Sequence, residues 1–488
     1  MITLKTVALF GASTRSKSAT VSVQRRLNCY FELRKDGDKT KIACFGTPGL
    51  APAFALPTPA GLPARALLGT QSTLYALAYN QFLQLAPANG ATLFAGTVGS
   101  VAGNASMATN SGNSQVLVAD GAVGYIYKPS LASFTAIGSN YPTGAKTITF
   151  VSNFFVAEQP GTQLFWVSNA NDGSTWNALG FASASAYPDN ILAVDNLAGI
   201  LVTFSELHTE FWQTTGQSPV PFAPVTSAAN EFGLAAIFSR GHVDQSLIFL
   251  AQNREGQAQV VQLRGYQAIV ISDSDIESII NGFTTVSDAT CLTYGVDTHK
   301  FYQLTFPSAG RSFLYDCSTT LWSEVQTGAS VIPVRHTANL STYAAGKMFV
   351  SDYATSQIYN FSTSQYTDNG ATIAREVVTR HLLSAFNRIR VSMLYLDMET
   401  GVGLQSGQGS NPQIMLQYSK DNGRTWSAER WTTLGLVGQY LTRVIWRRFG
   451  STRDATWRIR MTDPVKFVIT EGAIKVRQKA VSGMKRAA

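Results

Sequence analysis

The sequence is poor in charged residues, which make up 14% of its 488 positions, whereas an ordinary soluble domain has roughly 25%. Hydrophobic residues make up 45%, so the chain can bury large cores and is not mostly disordered. A surface with so little charge favours burial in contacts between subunits. The length predicts two or three domains. The net charge of +8 permits contact with phosphate but does not require it.

Cysteine and histidine are also scarce. The four cysteines are Cys29, Cys44, Cys291 and Cys317, and the five histidines are His208, His242, His299, His336 and His381. No CxxC pair and no HExxH spacing occurs, which argues against a disulfide scaffold and against the common zinc sites. P-loop, dinucleotide and nucleophile-elbow motifs are absent as well. We therefore predict no catalysis and no cofactor, and we interpret the cysteines as core residues of a protein made in a reducing compartment.

Long apolar runs and helical periodicity are missing too. No run reaches the length of a membrane span, and residues 6–12 are too short for the core of a secretory signal. Only residues 274–281, after a Ser-Asp pair, predict a helix. Nearly everything else reads as strands of four to eight residues separated by Gly, Asn, Asp or Pro. The sequence therefore predicts an all-β protein.

The strand pattern repeats along the first three quarters of the chain. Six similar apolar runs have starting points 38 to 47 residues apart. They begin at Leu74, Val116, Phe154, Ile200, Leu247 and Cys291. A polar turn and a second, aromatic-rich run follow most of them, as in Gly124–Tyr127. A period in the forties with several strands per unit is typical of a β-propeller, because radially stacked sheets bury each other's faces.

The repeats predict six blades, or seven if residues 346–361 form another. A set of β-sandwiches with similar hairpins is the alternative. A polar stretch at 363–370 precedes alternating strands that predict a separate β-sandwich. The predicted organisation is an N-terminal arm with first strands (1–60), a propeller (61–362), a β-sandwich (363–480) and a basic tail (481–488).

One motif near the C-terminus fits the Asp-box pattern of sialidases and other β proteins. It comprises Ser419, Asp421, Gly423 and Trp426. Asp421 can accept N–H bonds of a turn, Gly423 can take a positive φ, and Trp426 can pack beneath the turn. The pattern predicts a hairpin turn. It is also the only support for the alternative of a glycan-degrading propeller enzyme.

Basic residues cluster in the last quarter of the chain. The predicted contacts to DNA in a channel, or to an acidic partner, are Arg443, Arg447, Arg448, Arg458 and Arg460. Arginines two residues apart on a strand share a face. The alternative is a solvated sheet face followed by a frayed tail.

Several ordered motifs resemble one family. They include residues 26–31 with 46–50, Asp120–Tyr125, Thr209–Trp212, Phe301–Pro307 and residues 416–426 with 438–450. Together these stretches are similar to the packaged-DNA stabilisation or tail-nozzle (tail hub) proteins of short-tailed, podovirus-like phages. The resemblance runs from about residue 24 to about residue 470. Residues 1–23 and those after Arg477 do not share it.

The resemblance implies a structural tail protein of the virion, assembled in the host cytoplasm and without catalytic residues. It implies a homohexameric ring below the portal adaptor, the head-to-tail connector. Such a ring would retain packaged DNA and form its ejection channel, with non-specific contacts to double-stranded DNA. It would also contact a tail needle or plug and fibres or spikes. A receptor-binding or fibre-attachment module without a channel role is the other alternative.

Overall fold

The computed structural model describes residues 2–7, 10–11, 15–34, 42–383 and 388–478, and most of them lie in strands or turns. The chain forms two compact units. One consists of residues 51–310 and 335–361, and the other of residues 1–50, 311–334 and 362–488. No helix among the described residues is long and apolar enough to cross a membrane.

The strands are numbered in chain order. The first five are β1 (Ile2–Val7), β2 (Arg25–Leu27), β3 (Cys29–Leu33), β4 (Ile42–Gly46) and β5 (Gly49–Ala55). The next are β6 (Ala64–Gly69), β7 (Leu74–Ala78), β8 (Gln81–Leu85), β9 (Thr92–Thr97), β10 (Ser106–Thr109), β11 (Val116–Ala119), β12 (Gly124–Lys128), β13 (Ser133–Ala136), β14 (Ile148–Val151), β15 (Phe154–Glu158), β16 (Leu164–Asn169), β17 (Asp172–Ser183), β18 (Ile191–Leu197), β19 (Ile200–Ser205), β20 (Thr209–Thr214), β21 (Phe222–Pro224), β22 (Gly233–Leu234), β23 (Gly241–Val243), β24 (Ser246–Gln252), β25 (Ala258–Arg264), β26 (Gln267–Val270), β27 (Thr290–Val296) and β28 (His299–Phe306).

The remaining strands are β29 (Arg311–Asp316), β30 (Leu321–Val325), β31 (Ala338–Ala344), β32 (Lys347–Asp352), β33 (Gln357–Ser362), β34 (Thr367–Asp368), β35 (Ala371–Thr372), β36 (Arg375–Val378), β37 (Leu382–Leu383), β38 (Ile389–Met398), β39 (Gln413–Ser419), β40 (Arg430–Thr433), β41 (Val444–Thr452), β42 (Asp454–Met461) and β43 (Val468–Gln478). The predicted helix is confirmed as α1 (Ser274–Ile280), and 3₁₀ turns lie at Pro59–Gly61, Pro129–Leu131 and Ile237–Ser239. The Asp273 carboxylate caps α1 by accepting the N–H groups of Asp275 and Ile276.

The first unit is a β-propeller with seven blades, so the larger of the two predicted numbers is confirmed. Blades 1 to 4 are the antiparallel sheets β6–β9, β10–β13, β14–β17 and β18–β21. Blade 5 is built from β22 to β26, blade 6 begins with β27 and β28, and blade 7 contains β31 to β33. Neighbouring blades contact each other around the whole ring, and the circle closes where β31 of blade 7 meets β6 of blade 1.

The recurring apolar runs are the second strands of the blades. In blades 1 and 2 these strands, β7 and β11, are buried at every position. They are apolar without alternation because a neighbouring blade covers each face. Blade 6 departs from the pattern, because the run at Cys291 is its innermost strand, β27, and the buried second strand is β28. The segment containing α1 lies between blades 5 and 6 and shifts the repeat.

The N-terminal side of the chain helps to close the ring. Strand β5, which belongs to the propeller from Ala51 onward, pairs with β33 of blade 7. Next to this pair, the Leu56 N–H donates to the Ser356 carbonyl at 2.8 Å. The Gln357 side chain donates to the Phe54 carbonyl at 3.0 Å. Blade 7 therefore combines strands from distant parts of the sequence.

The second unit is a β-sandwich. One sheet has the order β3–β4–β43–β38–β41, with β1 also paired to β43. The facing sheet of this unit runs β29–β30–β2–β36–β42–β39–β40, with β37 paired to β42. Their shared core includes Leu394, Leu416, Trp457, Ile459 and Ile474. The N-terminal strands thus belong to the same sheets as the C-terminal strands, a pairing that no local pattern in the sequence indicates.

We expect Gly69→Ala to destabilise the propeller where its ring closes. A Cβ at position 69 in blade 1 would lie 2.0 Å from the Tyr343 carbonyl oxygen in blade 7. Because that neighbour is backbone, the two blades must separate, which should lower the free energy of unfolding by on the order of 2 kcal/mol. Chemical denaturation checks this value. Gly112→Ala is the control, since a Cβ there meets nothing within 4 Å. Equal stability of the two variants would contradict the prediction.

Candidate functional sites in the sandwich and the propeller

The Asp-box residues form a hydrogen-bonded turn after β39. The Asp421 carboxylate accepts from the Ser419 hydroxyl at 2.7 Å, and from the Thr425 hydroxyl at 2.6 Å and N–H at 2.9 Å. These bonds, foremost the one from the Thr425 hydroxyl, lower the Asp421 pKa to about 2. Gly423 has a φ of +73° and donates its N–H to the Ser419 hydroxyl at 2.8 Å. The Asp421 carboxylate is thus occupied by its own turn and is not poised for acid–base catalysis.

The same turn packs against the N-terminal segment 15–24. A Cβ at Gly423 would lie 2.8 Å from Val23 Cγ1, so the backbone of the turn approaches Val23 closely. The half-buried Trp426 ring faces the Arg458 guanidinium, whose carbon lies 4.1 Å from the ring centroid. The Asp-box turn therefore supports a neighbouring segment and one of the five predicted arginines.

The five predicted arginines lie in two different sheets. Arg443, Arg447 and Arg448 are exposed, just before or on β41, which is an edge strand of the first sheet. Arg458 and Arg460 lie on β42 inside the second sheet and are only partly exposed. The structure therefore does not bring the five side chains together on one strand or sheet.

Arg458 belongs to a row of alternating charges across the second sheet, here called the charge ladder. Its members are Arg311 on β29, Glu324 on β30, Arg25 on β2, Glu376 on β36 and Arg458 on β42. The successive nitrogen–oxygen distances are 3.2, 2.8, 3.3 and 3.8 Å. Each carboxylate thus lies between two guanidinium groups on neighbouring strands.

The side chains of the charge ladder are partly buried, so their ion pairs stabilise the sandwich. Burial disfavours the charge on Arg25, but Glu324 and Glu376 outweigh it and raise the Arg25 pKa. For Arg458 burial dominates over the attraction of Glu376 and lowers the pKa. The neighbouring Arg460 donates to the Ala329 carbonyl at 2.6 Å. Arg458 and Arg460 are therefore committed to contacts within the sandwich.

Charged residues also join the inner strands of the propeller. The Asp195 carboxylate on β18 forms ion pairs with Arg240 and His242, with nitrogen–oxygen distances of 2.6 and 2.9 Å. Burial favours a raised Asp195 pKa, but the charges of His242 and Arg240 outweigh it and bring the pKa to about 2. The Asp195 charge in turn raises the His242 pKa. His242 lines a cavity of about 250 Å³ in which Lys300 pairs with Asp244. The pairs of Asp195 therefore link blade 4 to blade 5, and the pair of Asp244 with Lys300 links blade 5 to blade 6.

A second cavity, of about 380 Å³, lies near the starts of β6, β27 and β31. Arg65 in its wall donates to the carbonyls of Gly103, Tyr79 and Ala102 at 2.7 to 2.8 Å. Arg335 stacks on the Tyr353 ring at 4.0 Å. No group of three or more His, Cys, Asp or Glu residues in the described part of the chain could hold a metal ion.

Glu376→Gln should destabilise the sandwich more than loss of an exposed ion pair does. The Glu376 side chain is 5% exposed and lies between Arg25 and Arg458, which would lose a buried counter-charge. We expect a loss of about 3 kcal/mol in the free energy of unfolding. Glu399→Gln is the matched control, because its pair with Lys466 is well exposed and should contribute about 0.5 kcal/mol. Urea denaturation followed by tryptophan fluorescence measures both, and equal losses would show that the ladder is not structural.

Comparison with known proteins agrees with this architecture. The family model described as bacteriophage P22 Gp10, beta-propeller, matches residues 67–366. The model described as bacteriophage P22 Gp10, beta-sandwich, matches residues 374–477. A search of curated proteins returned no match. The two matches follow each other in the order of the propeller and the sandwich.

Solved structures with similar backbones include WD40 proteins. The crystal structure of RRP9 WD40 repeats has 10% identity and a TM-score of 0.44, and covers 65% of this chain and 100% of its own. The structure of U3-55K has 11% identity and a TM-score of 0.41, and covers 64% of this chain and 100% of its own. Structural similarity at these identities and TM-scores adds nothing to the family assignment. The two family matches span most of the sequence, and the chain therefore belongs to the bacteriophage P22 Gp10 family of structural phage proteins.

Proposed function

We propose that this protein is a subunit of the phage tail nozzle, which retains packaged DNA and forms the channel for its ejection. The observation that carries the proposal is the match of both domains, residues 67–366 and 374–477, to one structural phage family. In this role the protein works mechanically, as a stiff scaffold around a channel. The proposed location is the virion tail, after assembly in the host cytoplasm.

The proposed assembly is a homohexameric ring attached to the portal adaptor. A tail needle or plug would close it, and fibres or spikes would attach outside. The low charged fraction, 14%, supports extensive subunit contacts, because charge is depleted at the centre of protein interfaces. The closed propeller supports a mechanical role, because its second strands are buried on both faces.

Two of the exposed arginines are the proposed DNA contacts. Arg447 and Arg448 lie exposed on β41, whereas Arg458 and Arg460 are held within the sandwich. Contacts to phosphate do not read sequence, which suits a channel through which any DNA must slide. The glycan-degrading alternative loses its support, because the Asp421 carboxylate is tied into its own turn.

Virions assembled without this protein should lose their packaged DNA. The measurement compares DNA content per particle between wild-type phage and phage carrying an early stop codon in the gene, with supply of the protein in trans as the control. A missing nozzle leaves the channel open, so we expect empty particles that complementation fills again. Particles that keep their DNA but fail to adsorb to cells would instead support the receptor-binding or fibre-attachment alternative.

Arg447→Gln combined with Arg448→Gln should weaken the salt dependence of DNA binding. Each phosphate contact contributes about 0.9 to the slope of log K against log salt concentration, so two lost contacts lower it by roughly 2. Binding of the full chain to random double-stranded DNA at several salt concentrations gives the slope. Arg254→Gln with Arg264→Gln on blade 5 removes the same charge and serves as the control. If both double variants change the slope equally, the proposed contacts are wrong.

A further inference from the structure

The loop between β40 and β41, residues 434–443, presents a rare apolar surface, here called the apolar loop. Leu436 is 46% exposed, Val437 47%, Tyr440 70% and Leu441 95%. Four large apolar side chains are thus exposed within six residues, and clustered exposed apolar groups mark an interaction site. The free energy of leaving them in water is recovered only when a partner covers them.

Hydrogen bonds hold the apolar loop in shape. The Gly401 N–H donates to the Leu434 carbonyl at 3.0 Å, and the Gly438 N–H donates to the Gly401 carbonyl at 3.0 Å. The Thr400 hydroxyl donates to the Tyr440 carbonyl at 2.9 Å. A φ of +83° at Gly438 allows the sharp turn beside Val437. A loop ordered before binding loses little conformational entropy when a partner docks.

The charge around the apolar loop indicates the kind of partner. Residues 434–448 contain three arginines and no acidic residue. The nearest arginine is the exposed Arg443, two positions after Leu441. An apolar patch with a basic rim fits an apolar patch with an acidic rim.

The same chain carries such a complementary surface on blade 5. Strand β26 is the outermost strand of its sheet, so one of its edges is unpaired in that sheet. Tyr266, Ile269 and Val270 on or beside it are 42%, 40% and 39% exposed. Residues 266–280 contain three acidic residues and no basic one, and the exposed Arg264 lies opposite Gln267 on the neighbouring strand β25. We call residues 266–280 the blade 5 patch. An exposed apolar edge strand is a strong site for association.

We propose that the apolar loop of one copy docks on the blade 5 patch of a neighbouring copy. The two surfaces differ, so the contact is heterologous, and repeating such a contact with a closing rotation generates a ring. The contact pairs Leu441 and Tyr440 with the apolar edge of β26, and Arg443 with Asp275 at the start of α1. This inference rests on the proposed function, which requires a ring of identical subunits.

A photo-cross-linker tests the contact directly. Leu441 is replaced by p-benzoylphenylalanine in the full chain, and purified virions are irradiated. We expect a cross-linked dimer of this protein, with the linked peptide from residues 266–280 of the partner copy. Leu131→p-benzoylphenylalanine is the control, because Leu131 on blade 2 is 71% exposed but lies on neither surface. A cross-link from position 441 to another protein or to lipid, or none at all, would overturn the proposal.

Charge reversal tests the pairing without relying on a variant that fails to fold. Arg443→Glu should reduce the assembled fraction of the full chain in sedimentation velocity, and Asp275→Arg in the same chain should restore it. Arg453→Glu, which reverses an exposed arginine after the proposed contact, should assemble normally. Failure of Asp275→Arg to rescue assembly would contradict the contact.

The experiments separate this inference from the proposed function. Particles that retain DNA without the protein would refute the nozzle role, whatever the cross-linking result. Particles that need the protein for DNA retention, but give no cross-link between the apolar loop and the blade 5 patch, would refute only the contact.

Discussion

The propeller depends on one constraint: its second strands are apolar on both faces. A lone sheet containing β7 or β11 would expose both of those faces to water, and a sheet with a single neighbour would expose one. Each blade therefore requires two neighbours, and only a closed circle gives every blade both of them. The ring closes where Gly69 lets the backbones of blades 1 and 7 approach, with the Gly69 N–H donating to the Thr342 hydroxyl at 2.7 Å. The ion pairs of Asp195 with Arg240 and His242 hold the inner strands of blades 4 and 5 together in the same ring.

The sandwich meets a different demand, because it joins segments that are distant in the sequence. Strands β2 and β4 pair with strands formed more than 270 residues later. The charge ladder crosses those junctions, and its alternating signs allow five charged side chains to lie side by side in a partly buried row. The same ladder explains why a cluster of arginines in the sequence does not form one basic surface in the structure. Arg458 is held in the ladder, which leaves the exposed arginines of β41 as the proposed DNA contacts.

The sequence alone was sufficient for the fold class, because a buried second strand leaves a continuous apolar run and the runs recur. The sixth apolar run lies on β27, the first strand of its blade, instead of on the second strand β28. The insertion containing α1 changes the spacing there. The Asp-box turn was predictable from local chemistry within the eight residues 419–426. The charge ladder was not, because Arg25, Glu324 and Glu376 meet only through the strand order of the sheet. For the same reason the pairing of the N-terminal strands in the sandwich left no local signal.

The participation of β5 in blade 7 has a consequence for synthesis on the ribosome. Strand β5 emerges first among the propeller strands, yet its partner β33 ends at residue 362. Blades 1 to 6 can stack as the chain grows, but the circle stays open until that residue has left the exit tunnel. The sandwich must wait longer, because its N-terminal strands pair with β43, which ends at residue 478. The propeller thus cannot reach its final form before residue 362 has emerged, nor the sandwich before residue 478.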